Sequence, residues 1–445
     1  MDLDRALGRA WRDDAPWRLL TRLTELDSRL AGHPGERRAA EIVAEAFETA
    51  GLREVTERTV PVRRWTRGHT DLAVSMPNRD VDRDFGAAAL PYSPGCDLRA
   101  DLVDAGHGTP AELDDVAADG AVVLARTGTP PDFDRFYHRI EKVGHAAAAG
   151  AAGFVFVNHV PGQLPPTGAL AFDSEAPIPG VGVSKETGAW LREYAGEATV
   201  SLDVDAGTDE GRTRNVVGHL GPDTDEEVLL LAHLDAHDIA EGALDNGCGV
   251  AVLLGVVRTL STLESTLDTR VRVAATGGEE LGLVGSEALA AAADHDRVRA
   301  VVNVDGAGRH RRLQALTHGS DALAEVARGA CESVDHPLAV DDQPHPWSDH
   351  WHFLRRGVPA AQFHSERPDA TGHWERGWTH TRADTRDKAD PRTIRTHAML
   401  VALVVRDLAT GADIPRVDPD DIRDALVDSG AKPGMAAAGI WPEAW

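Results

Sequence analysis

Read for periodicity, the chain changes texture twice. Residues 15–52 carry apolar positions at helical spacing on both sides of a turn, SRLAGHPGERRAAEIVAEAFETAG. This predicts two amphipathic helices, the second closed by Gly51. An alternating strand, VTERTVPVRRW, follows. From about 66 to 205 short strands and Pro/Gly-rich loops prevail: DGAVVLART, GFVFVN, PIPGVGVS and ATVSLDVD read as strands, FDRFYHRIEKVGHAAAAGA as a helix. From about 206 strands and helices alternate. VLLLAHLD, RVRVAATG, AVVNVDG, RLQALTH and PAAQFHS are the strands, VAVLLGVVRTL is helix-forming, and a helix over 391–409 closes the body. The tail offers one short amphipathic helix. The pattern predicts an α/β body with a mixed, mostly parallel central sheet flanked by helices. It would comprise residues 1–65 and 206–412, interrupted by a β-rich α+β insertion at 66–205 and followed by an extension at 413–445.

Composition narrows the function. At 445 residues the chain can bury one large core and still hold a second module. A formal net charge of −26 argues against nucleic acid, because phosphate binding needs a basic surface. Only four residues are Lys (142, 185, 388 and 432), so the cationic charge is nearly all Arg. High Asp and Glu with scarce Lys resembles proteins of salt-loving microbes; such a surface repels itself in dilute buffer and is screened at high salt. The start, MDLDRALGRAWRDDAPW, lacks a basic segment followed by an apolar one, and no run approaches the ~18 apolar residues of a membrane span. Three cysteines leave one unpaired in any scheme, which fits a reducing compartment. A cytoplasmic location without a membrane partner is expected; homo-oligomerisation is left open.

The chemistry concentrates where strands end. VLLLAHLD delivers His233 and Asp235, and the glycine-rich loop after it carries Asp245. RVRVAATGGEELGLVGSEAL opens onto Glu279 and Glu280; consecutive side chains diverge, so one can bind metal while its neighbour acts as a base. AVVNVDGAG ends in Asp305, and GWTHTRADTRD offers His380 in a polar loop. Each feature alone has a bland reading: a solvated helix start, a helix cap, a turn, a surface histidine. Their ordered placement after successive strands points to a metal centre.

In that order, H-x-D, D-N-G-x-G-V, G-E-E-x-G-x-x-G-S, N-x-D-x-x-G, S-D-H and a late H-T, the chain resembles the M28 zinc metallopeptidases, their aminopeptidases in particular. The resemblance covers the N-terminal helices and nearly everything from Arg214 to about Ala412. The insertion resembles, more loosely, a protease-associated (PA) domain through GAVVLARTG, HAAAAGAAGFVFVN and IPGVGVSKETG. The resemblance implies two zinc ions, one held by His233, Asp245 and Asp305, the other by Asp245, Glu280 and His380. It implies that Asp235 orients His233, that Glu279 is the general base, that peptides are the substrates, and that the Asp245–Asn246 bond is cis.

The match thins at the oxyanion. Some relatives use a tyrosine hydroxyl, whereas Tyr92, Tyr137 and Tyr194 all lie in the insertion; His350, in WSDHWHFLRRGVPA, is the substitute donor. Cys248 reads as packing rather than a nucleophile. His237, Asp238, His364 and His373 lie near the motifs and could line the pocket. An aminopeptidase leads the readings. A carboxypeptidase would need a cation for the terminal carboxylate, for which Arg309, Arg311, Arg312, Arg355 and Arg356 are available. The same motifs also admit a glutaminyl-cyclase-like enzyme of the same fold or a non-catalytic peptide-binding relative.

Overall fold

The computed structural model describes residues 2–133, 135–366 and 377–445. They form two compact units. The first gathers 2–62, 212–366 and 384–426; the second 63–211, 377–383 and 427–445. The chain crosses between them within two long strands, Arg53–Met76 and Thr199–Leu220.

In the first unit four parallel strands lie side by side: Ala360–Ser365, Val298–Val304, Glu227–His233 and Arg270–Thr276. Antiparallel neighbours flank them. Leu313–Leu316 pairs with Ala360–Ser365 and carries Leu338–Asp341 in parallel outside it; residues 216–220 pair with Arg270–Thr276. The sheet is therefore mixed and mostly parallel, as the alternation predicts. Every residue of Glu227–His233 is buried, which is why that strand reads as a continuous apolar run. The helix Cys248–Leu263 has almost no polar face because neighbours cover it all round, among them Ala15–Thr24 and Pro391–Ala409. With its flanks, Ala243–Thr266, it is long and apolar enough to cross a bilayer, an exception to the sequence expectation. It is a core helix, with 83% of its most apolar window buried. The helix Pro34–Thr49 stops where expected: Gly51 adopts φ +97°, and Leu52 N–H donates to Phe47 O at 3.1 Å.

The second unit is also built on parallel strands, Cys96–Asp104, Val122–Arg126, Gly153–Val157 and Gly180–Val183. Antiparallel neighbours, residues 199–204 and Ala87–Ala89, close its edges. Its helix begins at Arg139 rather than Phe133. His138 holds an extended backbone and its Nδ1 accepts the Ile140 N–H at 3.2 Å, so the cap ends the helix there. The tail forms two helices instead of one, Pro419–Asp428 and Lys432–Ala437; the second packs against Arg139–Ala148.

Candidate metal centre

Three adjacent strands of the first unit end in acid or imidazole. Glu227–His233 terminates on His233; Val298–Val304 runs directly into Asp305; Arg270–Thr276 turns through Gly277 and Gly278 to Glu279 and Glu280. Gly278 sits at φ +75°, a conformation that glycine adopts without steric cost. Asp245 comes from the loop before the helix Cys248–Leu263, and its bond to Asn246 is cis. The Asn246 amide locks this loop, donating to Val304 O at 2.8 Å and accepting from Gly249 N at 3.0 Å.

His233, Asp235, Asp245, Glu280 and Asp305 are at most 7% exposed. His233 Nε2 lies 3.4 Å from Asp245 Oδ1 and 3.8 Å from Asp305 Oδ1, and the three ligand atoms fall within 4.8 Å of one another. Two ligand atoms ~2.1 Å from one tetrahedral zinc stand roughly 3.4 Å apart, so the set fits the ion. Electrostatics agree. Burial alone would lower the His233 pKa, yet Glu279 and the contacts to Asp235, Asp245 and Asp305 raise it well above the ordinary range. Four carboxylates around one buried imidazole make a site that favours positive charge. Burial pushes the Glu279 carboxyl well up, opposed by His233 and reinforced by Glu280. Glu279 remains partly open to solvent.

Asp235 does two things. It faces His233 Nδ1 at 3.5 Å, and its two oxygens accept the backbone N–H groups of Glu279 and Glu280, each at 3.2 Å. One carboxylate thus couples the histidine to the paired glutamates. Glu280 in turn meets His237 Nε2 at 2.9 Å, a neighbour the sequence reading placed only near the pocket. Asp305 Oδ2 accepts from Ser348 Oγ at 2.8 Å and from Gln362 Nε2 at 3.3 Å, which turns Oδ1 toward His233.

Asp384 and Arg29 escaped sequence reasoning, and Arg309 was read there only as a cation for a terminal carboxylate. Asp384 accepts the N–H groups of Leu244 (2.6 Å) and Asp245 (3.1 Å), and burial raises its carboxyl to about 7. Arg309 donates to Leu244 O at 3.0 Å and stands 3.4 Å from Asp245 Oδ1. Arg29 reaches three carbonyls between residues 234 and 242. Their sole trace in the sequence is that Arg29 and Asp384 lie inside the runs SRLAGHPGE and GWTHTRADTRD.

This arrangement has known counterparts. Residues 215–405 match the model of peptidase family M28, and residues 87–191 that of the PA domain. The chain carries an M28 peptidase domain. The aminopeptidase YwaD of Bacillus subtilis is 28% identical over 403 residues, 87% of this chain and 82% of that one. The probable leucine aminopeptidase 2 of Arthroderma benhamiae is 28% identical over 353 residues, 75% of this chain and 68% of its own length. Among solved structures, the zinc aminopeptidase BSAP from Bacillus subtilis is 25% identical with a TM-score of 0.70, covering 91% of this chain and 98% of that one. An M28 peptidase precursor from Shewanella amazonensis shares the fold, with a TM-score of 0.78 at 22% identity, covering 94% of this chain and 98% of its own.

The remaining residues singled out from the sequence meet neighbours of their own. His350 is fully buried, with Nε2 2.7 Å from His345 O and Nδ1 3.3 Å from the Asn303 amide; burial lowers its pKa to about 4. Both ring nitrogens meet protein groups, so these contacts lend no support to its expected role as oxyanion donor. His380 belongs to the second unit, at φ +57°. There Thr167 N donates to its carbonyl at 2.8 Å, and its Nδ1 is 3.3 Å from Thr167 O. His364 Nδ1 meets Ser365 O at 2.8 Å, and His373 lies outside the described residues. Cys248 is buried with its thiol pushed up to about 12, the state of a packing residue. Cys96, Cys248 and Cys331 are all free.

Proposed function

We propose that the M28 domain is an aminopeptidase working through a dinuclear zinc centre. His233, Asp245 and Asp305 would hold one ion, and Asp245 and Glu280 would serve the other. His380 enters as its further ligand through the sequence resemblance. The observation that carries the reading is the trio His233, Asp245 and Asp305, buried and facing one another at ligand spacing.

When bound, the metal supplies Lewis-acid polarisation of the scissile carbonyl and acidifies water. The chain's own residues do the rest. Asp235 fixes the orientation of His233 and, through two backbone N–H groups, the path of Glu279 and Glu280. Glu279 is partly open to solvent beside the trio, so it is placed to take a proton and return it to the leaving amine. A carboxypeptidase would require a cation for a terminal carboxylate. Arg309 faces Asp245, Arg312 pairs with Glu366 at 2.7 Å, Arg355 with Glu287 at 3.2 Å, and Arg356 donates to His352 O. These four arginines already meet protein acceptors.

The test is hydrolysis of a peptide panel in concentrated KCl with added zinc, comparing free peptides with N-blocked and C-blocked copies and with Glu279→Gln. Cleavage that needs a free amino terminus and vanishes in the variant is expected. Cleavage that needs only a free carboxyl terminus would move the assignment to carboxypeptidase; no cleavage by folded, zinc-loaded protein would end the peptidase reading.

A further inference from the structure

Arg29 is a charged side chain that none of the chemistry above uses. It is 2% exposed, and among the described residues no carboxylate oxygen lies within 4.0 Å of its guanidinium. Its acceptors are carbonyls. Nε donates to Leu234 O at 3.0 Å, one terminal nitrogen to Glu241 O at 2.6 Å and Leu23 O at 3.3 Å, and the other to Gly242 O at 2.9 Å. Arg29 O in turn accepts the Ala236 N–H at 3.2 Å. Gly242 O also accepts the Gly247 N–H at 3.0 Å, closing a turn across Asp245. A buried cation is costly without compensation. Here Asp384, Asp235 and Asp245 supply a favourable field, although burial still lowers the Arg29 pKa overall.

We propose that Arg29 is a positioning residue for the metal centre: its guanidinium fork latches both ends of the 234–242 loop and so holds His233 and Asp245 in register before an ion binds. The loop's first end follows His233 and includes Asp235; its second leads into Asp245. Only a planar fork reaches both ends at once, and a lysine ammonium on the same backbone would keep the charge but lose the span. The proposal rests on the metal reading of the trio.

The experiment measures zinc dissociation constants by chelator competition for the wild type, Arg29→Lys and Arg29→Gln. It adds hydrogen exchange on metal-stripped wild type. Both variants should bind zinc roughly 10- to 100-fold more weakly. Their kcat should recover at saturating zinc with KM little changed, a split that general loss of stability would not produce. Wild-type affinity in both variants overturns the latch. Should neither variant fold, the exchange data decide. Amides of 234–247 as slow in stripped as in loaded protein support it, and opening of that segment while Cys248–Leu263 stays protected overturns it. A wild type that binds no zinc sinks the metal reading itself, a separate outcome.

Discussion

Both units set parallel strands side by side, yet their strand ends differ in kind. In the second unit Asp104, Asn158 and Ser184, at or just after strand ends, bond to nearby main-chain groups. Asp104 accepts from Gly106 N, Asn158 bonds Leu164 O and Val160 N, and Ser184 caps the helix Lys185–Tyr194 through Thr187 N. Lys142, wholly buried, donates to the carbonyls of Arg126 (2.7 Å), Thr127 (3.4 Å) and Gly128 (2.7 Å). In the first unit His233, Asp245 and Asp305 converge, the imidazole 3.4 and 3.8 Å from the two carboxylates, while Arg309, Ser348 and Gln362 also contact those carboxylates. A sheet edge by itself is not a site. Convergence of side chains from successive strand ends and loops makes it one.

The sharpest way to break this contrast is chemical. Glu279→Gln should reduce turnover by roughly 10²–10⁴-fold while zinc content stays unchanged, read by peptide kinetics and metal analysis. A parallel loss of zinc would reassign Glu279 from base to ligand. Asp235→Asn comes next, with a loss of roughly 10- to 100-fold in zinc affinity or activity. Chelation should then loosen 277–283 in hydrogen exchange, with 234–247 still held by Arg29, and leave 122–126 and 153–157 as protected as before. Equal loosening of both regions would erase the distinction.

A smaller effect concerns pH. Burial raises Glu36 from its ordinary 4.5 to about 7 and lowers Lys142 from 10.5 to about 7. A raised acid holds its proton more tightly in the folded state. The contribution of Glu36 is therefore full below about pH 4.5 and is lost as pH rises through about 7. Lys142 behaves oppositely: its contribution is full above about pH 10.5 and is lost as pH falls through about 7, with its three carbonyl acceptors moderating the loss. Glu36→Gln and Lys142→Met should each flatten one slope in thermal unfolding followed against pH; unchanged slopes would show that neither group titrates with folding. Least of all, Arg38→Ala, which removes an exposed pair with Glu41, should change stability by less than about 0.5 kcal/mol.

What could be read in advance had local signatures. His233, Glu279, Glu280 and Asp305 follow apolar runs within one or a few residues, and Asp245 sits in a glycine-rich loop before an apolar helix. The supporting roles of Arg29, Asp384 and Arg309 have no such signature, because they act on main-chain groups far away: Arg29 on Leu234 across 205 residues, Asp384 on Leu244 across 140. Backbone carbonyls and N–H groups are the same at every residue, so no side-chain pattern announces which of them a distant residue will meet. His350 shows the reverse case. Its motif was visible, but only the packing reveals that His345 O and Asn303 occupy both ring nitrogens.

Periodicity and strand-end chemistry, both short-range properties, therefore determined the α/β class, the mostly parallel sheet and which strands end in acid or imidazole. Tertiary structure alone decided the separations among His233, Asp245 and Asp305, the double use of Asp235, the burial that raises the Glu279 carboxyl, and the placement of an arginine under the ligand loop. Distance and desolvation depend on which chain segments pack together, and a linear sequence carries neither directly.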